Sequence, residues 1–172
     1  MNFSNRKKLV VASTILFINF LFTSCGAIVK SAAVKEMTVE KNAIPADFGA
    51  GNTTLICVLK GRNSRDNYMR KHIKNIYKGK YEFVLESDLN SSKYSDKNTY
   101  RFLFDYDAGS TSSVGHNNVT GRTEAMSLPT SSYYIKDRKN DKIYHSNFSS
   151  GFFSKLIQAY VINMEKVRLQ NQ

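Results

Sequence analysis

The sequence predicts an α+β fold, a two-layer sandwich in which a mixed, mainly antiparallel sheet carries two amphipathic helices on one face. Three observations predict it. Thr53–Leu59 is β-branched and apolar on both parities, as an interior strand covered on both sides requires. Tyr100, Phe102, Phe104 and Tyr106 occupy alternate positions of Thr99–Asp107, an aromatic strand face suited to the floor of a core. Residues 63–77 and 153–168 each gather their apolar side chains on a single stripe at helical spacing, and such a helix must bury that stripe against another layer.

The chain divides into a leader over 1–24, a tether over 25–52 and one domain over 53–172. The leader has a basic start (Arg6, Lys7, Lys8), an apolar run Leu9–Phe22 and a small-residue site, the layout of an export signal. Its apolar run is 14 residues long and contains Ser13, Thr14 and Asn19, whereas a permanent membrane span takes roughly 20 predominantly apolar residues. From Gly26 to Asn52, alanines alternate loosely with charges, and Pro45, Gly49 and Gly51 interrupt any long helix, which leaves room for a short one around Val29–Met37. As flexible coil, about 27 residues reach roughly 30 Å.

Within the domain the first strand ends at Lys60-Gly61, and Asn63-Ser64 reads as the cap of a helix with Asp66 in its first turn. Met69, Ile73, Ile76 and Tyr77 form its core stripe, and Gly79 closes it. Tyr81–Glu86 alternates as a second strand, followed by a polar turn from Asp88 to Asn98 and the aromatic strand. Residues 107–121 are poor in apolar side chains and rich in turn formers, and they read as a mobile loop. A weaker strand over Arg122–Leu128 is closed by Pro129; Ser132–Asp137 and Lys142–His145 form a hairpin. In the last helix, capped by Ser149 or Ser150, Phe153, Leu156, Ile157, Tyr160, Met164 and Val167 face inward.

Charge and cysteine usage narrow the function. Three of the 25 Lys and Arg lie in the leader and all 14 Asp and Glu follow it, so the formal charge falls from +11 to +8 without the leader. Seven basic residues face the single acid Asp66 across 62–80, and Arg65, Arg70, Lys71, Lys74 and Lys78 are the candidates for binding an anionic surface or partner. Nucleic acid is not an expected partner of an exported chain. Cys57 sits in an apolar run and reads as a small buried hydrophobe. His72, His116 and His145 form no metal-ligand spacing, so no metal and no cofactor are expected. No Gly-x-Ser-x-Gly elbow or phosphate loop occurs. The carboxylates of Asp105, Asp107 and Glu86, with Glu82, leave an envelope hydrolase as the alternative to a non-catalytic binding or scaffolding module.

Phe22-Thr23-Ser24-Cys25 resembles the lipobox of bacterial lipoproteins, departing from it at Phe22, where the family favours an aliphatic residue. Ordinary secretory cleavage after Ala27 and retention as an uncleaved anchor are competing readings of the same residues. The resemblance implies that Cys25 becomes the first residue of the mature chain, carrying a thioether-linked diacylglyceryl group and an amide-linked acyl chain such as palmitate. Two or more chains hold stably to a bilayer. Gly26, where an Asp would retain many lipoproteins at the inner membrane, points to the outer membrane of a Gram-negative cell envelope. Tyr134-Ile135-Lys136-Asp137 through Asn140-Asp141-Lys142-Ile143-Tyr144, followed by a last helix, is similar to small envelope lipoproteins of the TolB N-terminal and ABC-transport-auxiliary kind. That similarity implies a non-catalytic accessory docked on an envelope protein complex or on anionic head groups.

Overall fold

The computed structural model describes residues 24–117 and 121–172; the leader, apart from Ser24, and the tip of the 107–121 segment lie outside the described residues. Helices α1 (Ser24–Glu36), α2 (Asn63–Ile76) and α3 (Phe153–Gln170) accompany strands β1 (Thr54–Leu59), β2 (Lys80–Leu85), β3 (Phe102–Asn117), β4 (Arg122–Asp137) and β5 (Lys142–His145). The five strands form one open sheet in the order β2-β1-β3-β4-β5. β1 pairs in parallel with β2 and, at Ile56 and Cys57, with β3, while β3, β4 and β5 are antiparallel neighbours. The parallel step from β1 to β2 runs through α2, since parallel neighbours cannot be joined by a tight turn.

The strands carry out the division their parities predict. Leu55, Cys57 and Leu59 of β1 join Phe102, Phe104 and Tyr106 of β3 in one core with all three helices, whereas Ile56 and Val58 face the other side. On that far side the segment between β2 and β3 folds over the sheet, and Val84, Leu89, Tyr94, Tyr100 and Leu103 close a smaller cluster. Tyr100 therefore leaves the aromatic face expected for it. The chain turns just before Phe102, so the alternation begins one step later.

The segment expected to be a tether is instead folded into the domain. Ala33, Met37, Ala43, Ile44 and Phe48 are fully buried, and α1 packs along α3 with alanines that let the two backbones approach closely. Polar side chains of α3 hold the rest. Asn163 Nδ2 donates to Val34 O at 2.8 Å and Met37 O at 2.6 Å, Asn171 Nδ2 donates to Ala46 O at 2.8 Å and Phe48 O at 2.9 Å, and the Tyr160 hydroxyl donates to Ala43 O. Arg101 joins Asp47 at 2.7 Å to the fully buried Asp137 at 2.6 Å. Gly49 adopts φ +79°, and a Cβ there would sit 2.4 Å from Arg168 Cγ, so this crossing of α3 requires glycine.

Two further expectations change. Residues 107–117 are strand, not loop: β3 and β4 pair without interruption from Phe102↔Asp137 to Asn117↔Arg122. β4 also runs through Pro129, which is tolerated because its outer edge pairs with β5 only from Tyr134 onward. The expected caps are not used. Both α2 and α3 start without a side-chain cap; Asp66 accepts instead from Lys60 N at 3.3 Å, and the backbone of Ser150 exchanges hydrogen bonds with Ser131 at 3.2 and 3.3 Å.

Candidate functional site

The start of α1, the start of α3 and the root of the β3–β4 ribbon meet at one pole of the domain. A Cβ on Gly26 would lie 3.3 Å from Lys155 Cε, so the first turn of α1 rests on the first turn of α3. The Ser131–Ser150 bridge ties that turn to β4, and a Cβ on Gly151 would lie 3.1 Å from Pro129 O. α2 joins them through two turns: the Arg65 guanidinium of its first turn lies 4.2 Å from the Phe153 ring centre, and His72 Nε2 of its third turn and Ser154 Oγ are hydrogen-bonded at 3.0 Å. Phe152, 49 % exposed, stands at the rim. Burial, and after it the positive charges of Lys71, Lys155 and Lys30, hold the His72 imidazole below its ordinary pKa, which places lysines from all three helices around one residue.

The structure separates the five basic candidates of α2. Arg70, Lys71, Lys74 and Lys78 are exposed; at 3.6 residues per turn the first three share an arc of about 100° on α2, and Lys78 lies just past the helix end at Ile76. Arg65 turns away from them. Its guanidinium stacks on Phe153 and lies 5.8 Å from the Tyr106 ring centre, and its Nε is buried without a partner. Arg70 folds back over Phe83 at 4.9 Å, and Lys78 Nζ donates to Asn75 O at 3.2 Å, leaving Lys71 and Lys74 as the open charges of the face.

Beneath the pole lies a polar seam. Among the described residues, Tyr106 Oη, Tyr133 Oη, Ser131 Oγ and Arg65 Nε are buried with no hydrogen-bond partner. Tyr106 and Tyr133 pair across β3 and β4, with ring centres 5.9 Å apart, and their hydroxyls face the helix side at the ribbon root. Burial, then the carboxylate of Asp66, pushes Tyr106 up to about 12, and burial raises Tyr133 further. Both hydroxyls therefore stay protonated at neutral pH and can give or receive hydrogen bonds without acting as bases.

The carboxylates have structural partners. Asp105, buried, accepts from Tyr134 Oη at 2.7 Å and Tyr106 N at 2.6 Å and pairs with Lys60 Nζ at 3.2 Å. Asp107 Oδ2 lies 3.1 Å from His145 Nε2, and Ser132 Oγ approaches the same nitrogen at 3.4 Å. A nucleophile relay needs its base to use separate nitrogens for serine and carboxylate, so this trio is not one. Glu86 is exposed, 3.8 Å from Lys60 Nζ, and Glu82 accepts from Lys93, Tyr94 and Tyr100. A hollow of about 260 Å³ on that side of the sheet is lined by Leu89, Leu103, Lys136, Arg138 and Asp141 among others, and not by Glu86, Asp105 or Asp107. Among the described residues no group of three or more His, Cys, Asp or Glu is placed to hold a metal ion, and no helix is long and apolar enough to cross a membrane.

A groove of about 640 Å³ runs between the outer side of α1, at Ile28, Ala32 and Lys35, and the turn at Asn147 and Phe148. Comparison with protein-family models, with curated proteins and with solved structures gives no match. Sequence reasoning weighed His145 only as a metal ligand and missed its pairing with Asp107, and it missed the Lys60–Asp105 pair and the Tyr106–Tyr133–Ser131 seam. The register that brings Asp107, Ser132 and Tyr134 beside His145 belongs to the pairing of three strands and leaves no local signal.

Proposed function

We propose that this chain is a lipid-anchored envelope module, acylated at Cys25, that binds other envelope components without catalysing a reaction. The observation that carries the reading is the position of α1: the helix begins at Ser24, beside Cys25, and is packed onto α3. A domain attached in this way has a fixed attitude to the bilayer, and the pole bearing Phe152, Lys30, Lys71 and Lys155 faces the lipid. A non-catalytic docking role agrees with carboxylates occupied in ion pairs. The resemblance to TolB N-terminal and ABC-transport-auxiliary lipoproteins supports the same role, and Gly26 supports the outer membrane.

Mass spectrometry of the native product tests the anchor. The expected N-terminal peptide begins at Cys25 and carries a thioether-linked diacylglyceryl group and an amide-linked acyl chain. Any other first residue, or an unmodified Cys25 sulfur, refutes it. The docking face is tested by changing Arg70, Lys71, Lys74 and Lys78 to Glu, which should lower recovery with anionic vesicles or with the envelope partner; unchanged recovery removes that role.

A further inference from the structure

The side of the sheet away from the helices holds a hollow that the docking role leaves unused. The segment between β2 and β3 folds over this side, and a space of about 260 Å³ stays open between Leu89 and Lys97 of that cover and the end of β4. Strand parity decides what faces it. Lys136 is the cross-strand partner of Leu103, which packs in the far-side cluster, and Arg138, two residues on, projects the same way. Asp137 between them takes the opposite side, where it is fully buried against Arg101. The turn into β5 adds Asp141, which is exposed and pairs with Lys136 at 2.9 Å. Arg138 is held in place by one bond, Nη1 to Tyr100 O at 2.9 Å, with its remaining N–H groups uncommitted among the described residues. Lys97, Lys136 and Arg138 thus line the hollow against the single carboxylate of Asp141, and two positive charges stand uncompensated.

We propose that this hollow binds a small, soluble phosphomonoester, its phosphate between Lys97, Lys136 and Arg138 and its carbon part on Leu89 and Leu103. The charge selects the group. A phosphomonoester carries about two negative charges at neutral pH and three strong acceptor oxygens, matching the surplus, whereas a carboxylate or phosphodiester offers one charge. The planar guanidinium of Arg138 suits phosphate geometry. The volume lies below the roughly 300 Å³ at which pockets for drug-sized ligands begin, so the occupant is small. Its soluble source rests on the anchored reading above. Asp137 is linked through Arg101 to Asp47, and the neighbouring Ala46 and Phe48 carbonyls are held by Asn171 just past the end of α3. α3 starts at the pole and its 18 residues rise about 27 Å, so the hollow stands at the end of the domain away from the lipid and its head groups.

The test titrates the purified full-length product in detergent with inorganic phosphate and with phenyl phosphate. Both should bind, phenyl phosphate more tightly because the two leucines receive its ring, and acetate should compete with neither. Lys97→Gln should weaken both about tenfold. Asp141→Asn frees Lys136 and keeps a residue type that tolerates φ +51°, so it should tighten both several-fold, a direction that a merely structural role would not produce. Lys166→Gln, an exposed cation of α3 in the helix layer, should change neither. Failure of both probes to bind, equal weakening by Lys166→Gln, or weaker binding in Asp141→Asn would each overturn the proposal. Phosphatidylcholine vesicles containing either phosphatidic acid or phosphatidylglycerol test the source. A preference for phosphatidic acid that Lys97→Gln abolishes would place the phosphate on a lipid and overturn the soluble ligand; no such preference is expected. Acylation of Cys25 is read by mass on the same sample, so failure of the anchor and failure of the phosphate site are seen separately.

Discussion

Replacing Asn163 by Ala tests whether the start of the chain belongs to the fold. Asn163 is 5 % exposed, and its amide donates to two carbonyls at the end of α1, Val34 O and Met37 O. Removing the donor leaves the buried Met37 carbonyl without its partner, a loss of about 1–3 kcal/mol, and the half-buried Val34 carbonyl adds about 0.5–1.5 kcal/mol, so roughly 2–4 kcal/mol in all is expected. At a urea slope of about 2 kcal/mol per molar the unfolding midpoint should fall by roughly 1–2 M. Hydrogen exchange locates the damage: amides over 26–50 should lose protection first, while β1 and β3 keep theirs until global unfolding. A midpoint within about 0.2 M of the parent, with 26–50 as protected as before, refutes the reasoning. So does an unprotected 26–50 segment in the parent protein, since that is the behaviour of a tether.

Three other outcomes follow from the same packing. Gly49→Ala puts a Cβ into the left-handed region and against Arg168, and should cost more than about 2 kcal/mol in urea unfolding, whereas Gly51→Ala, at φ +71° with nothing within 4 Å, should cost only the conformational part, about 1 kcal/mol. Asp137 is fully buried, and although burial is the largest influence and acts upward, the Arg101 fork and the Lys139 and Asn140 donors outweigh it and hold the carboxyl below its ordinary value. A depressed folded pKa gives stability that is present above the unfolded value and lost as pH falls through the folded one, so thermal scans below about pH 4 should drop more steeply for the parent than for Asp137→Asn. Burial pushes the Cys57 thiol far above its ordinary value, so native protein should resist alkylation; unfolded protein should expose one thiol where Cys25 is acylated and two where it is not.

What could be read from the sequence is what has a buried face. β1, α2, the aromatic part of β3 and α3 each bury one stripe or both parities, and their periodicities are visible in Leu55–Leu59, Met69–Ile73, Phe102–Tyr106 and Leu156–Val167. The folding of 26–50 was hidden because its partners are Asn163, Arg168 and Asn171, polar residues of α3 that look like solvent positions in a linear reading. The ribbon was hidden for the opposite reason. Its described side chains from Ala108 to Val114 and from Thr123 to Pro129 are exposed, so no buried alternation marks it as strand, and its identity rests on the register with β4. The basic candidates were legible as a cluster, but their division was not: Arg65 lies on the core side of α2, where its stem and guanidinium cover Phe153 and Tyr106.

A packed α1 also grades the basic face. On a loose tether any side of the domain can meet the bilayer, and the four exposed basic residues on α2 and just past its end would contribute alike. On the anchored reading the pole is held at the lipid and α2 runs away from it, from Arg65 beside Phe153 toward Lys78, whose backbone N–H is bonded to Glu165 near the far end of α3. Lys78 lies past the end of α2 at Ile76, and the helix from Lys71 to Ile76 alone rises about 7.5 Å, close to the screening length of about 8 Å at physiological salt. Lys71 keeps Lys30 and Lys155 as neighbours near the surface, where each cation is worth about 1 kcal/mol against an anionic leaflet. Lys71→Glu should therefore weaken recovery on anionic vesicles several-fold more than Lys78→Glu. Equal effects would mean that the domain tumbles on its anchor, and the fixed attitude inferred from α1 would fail with them.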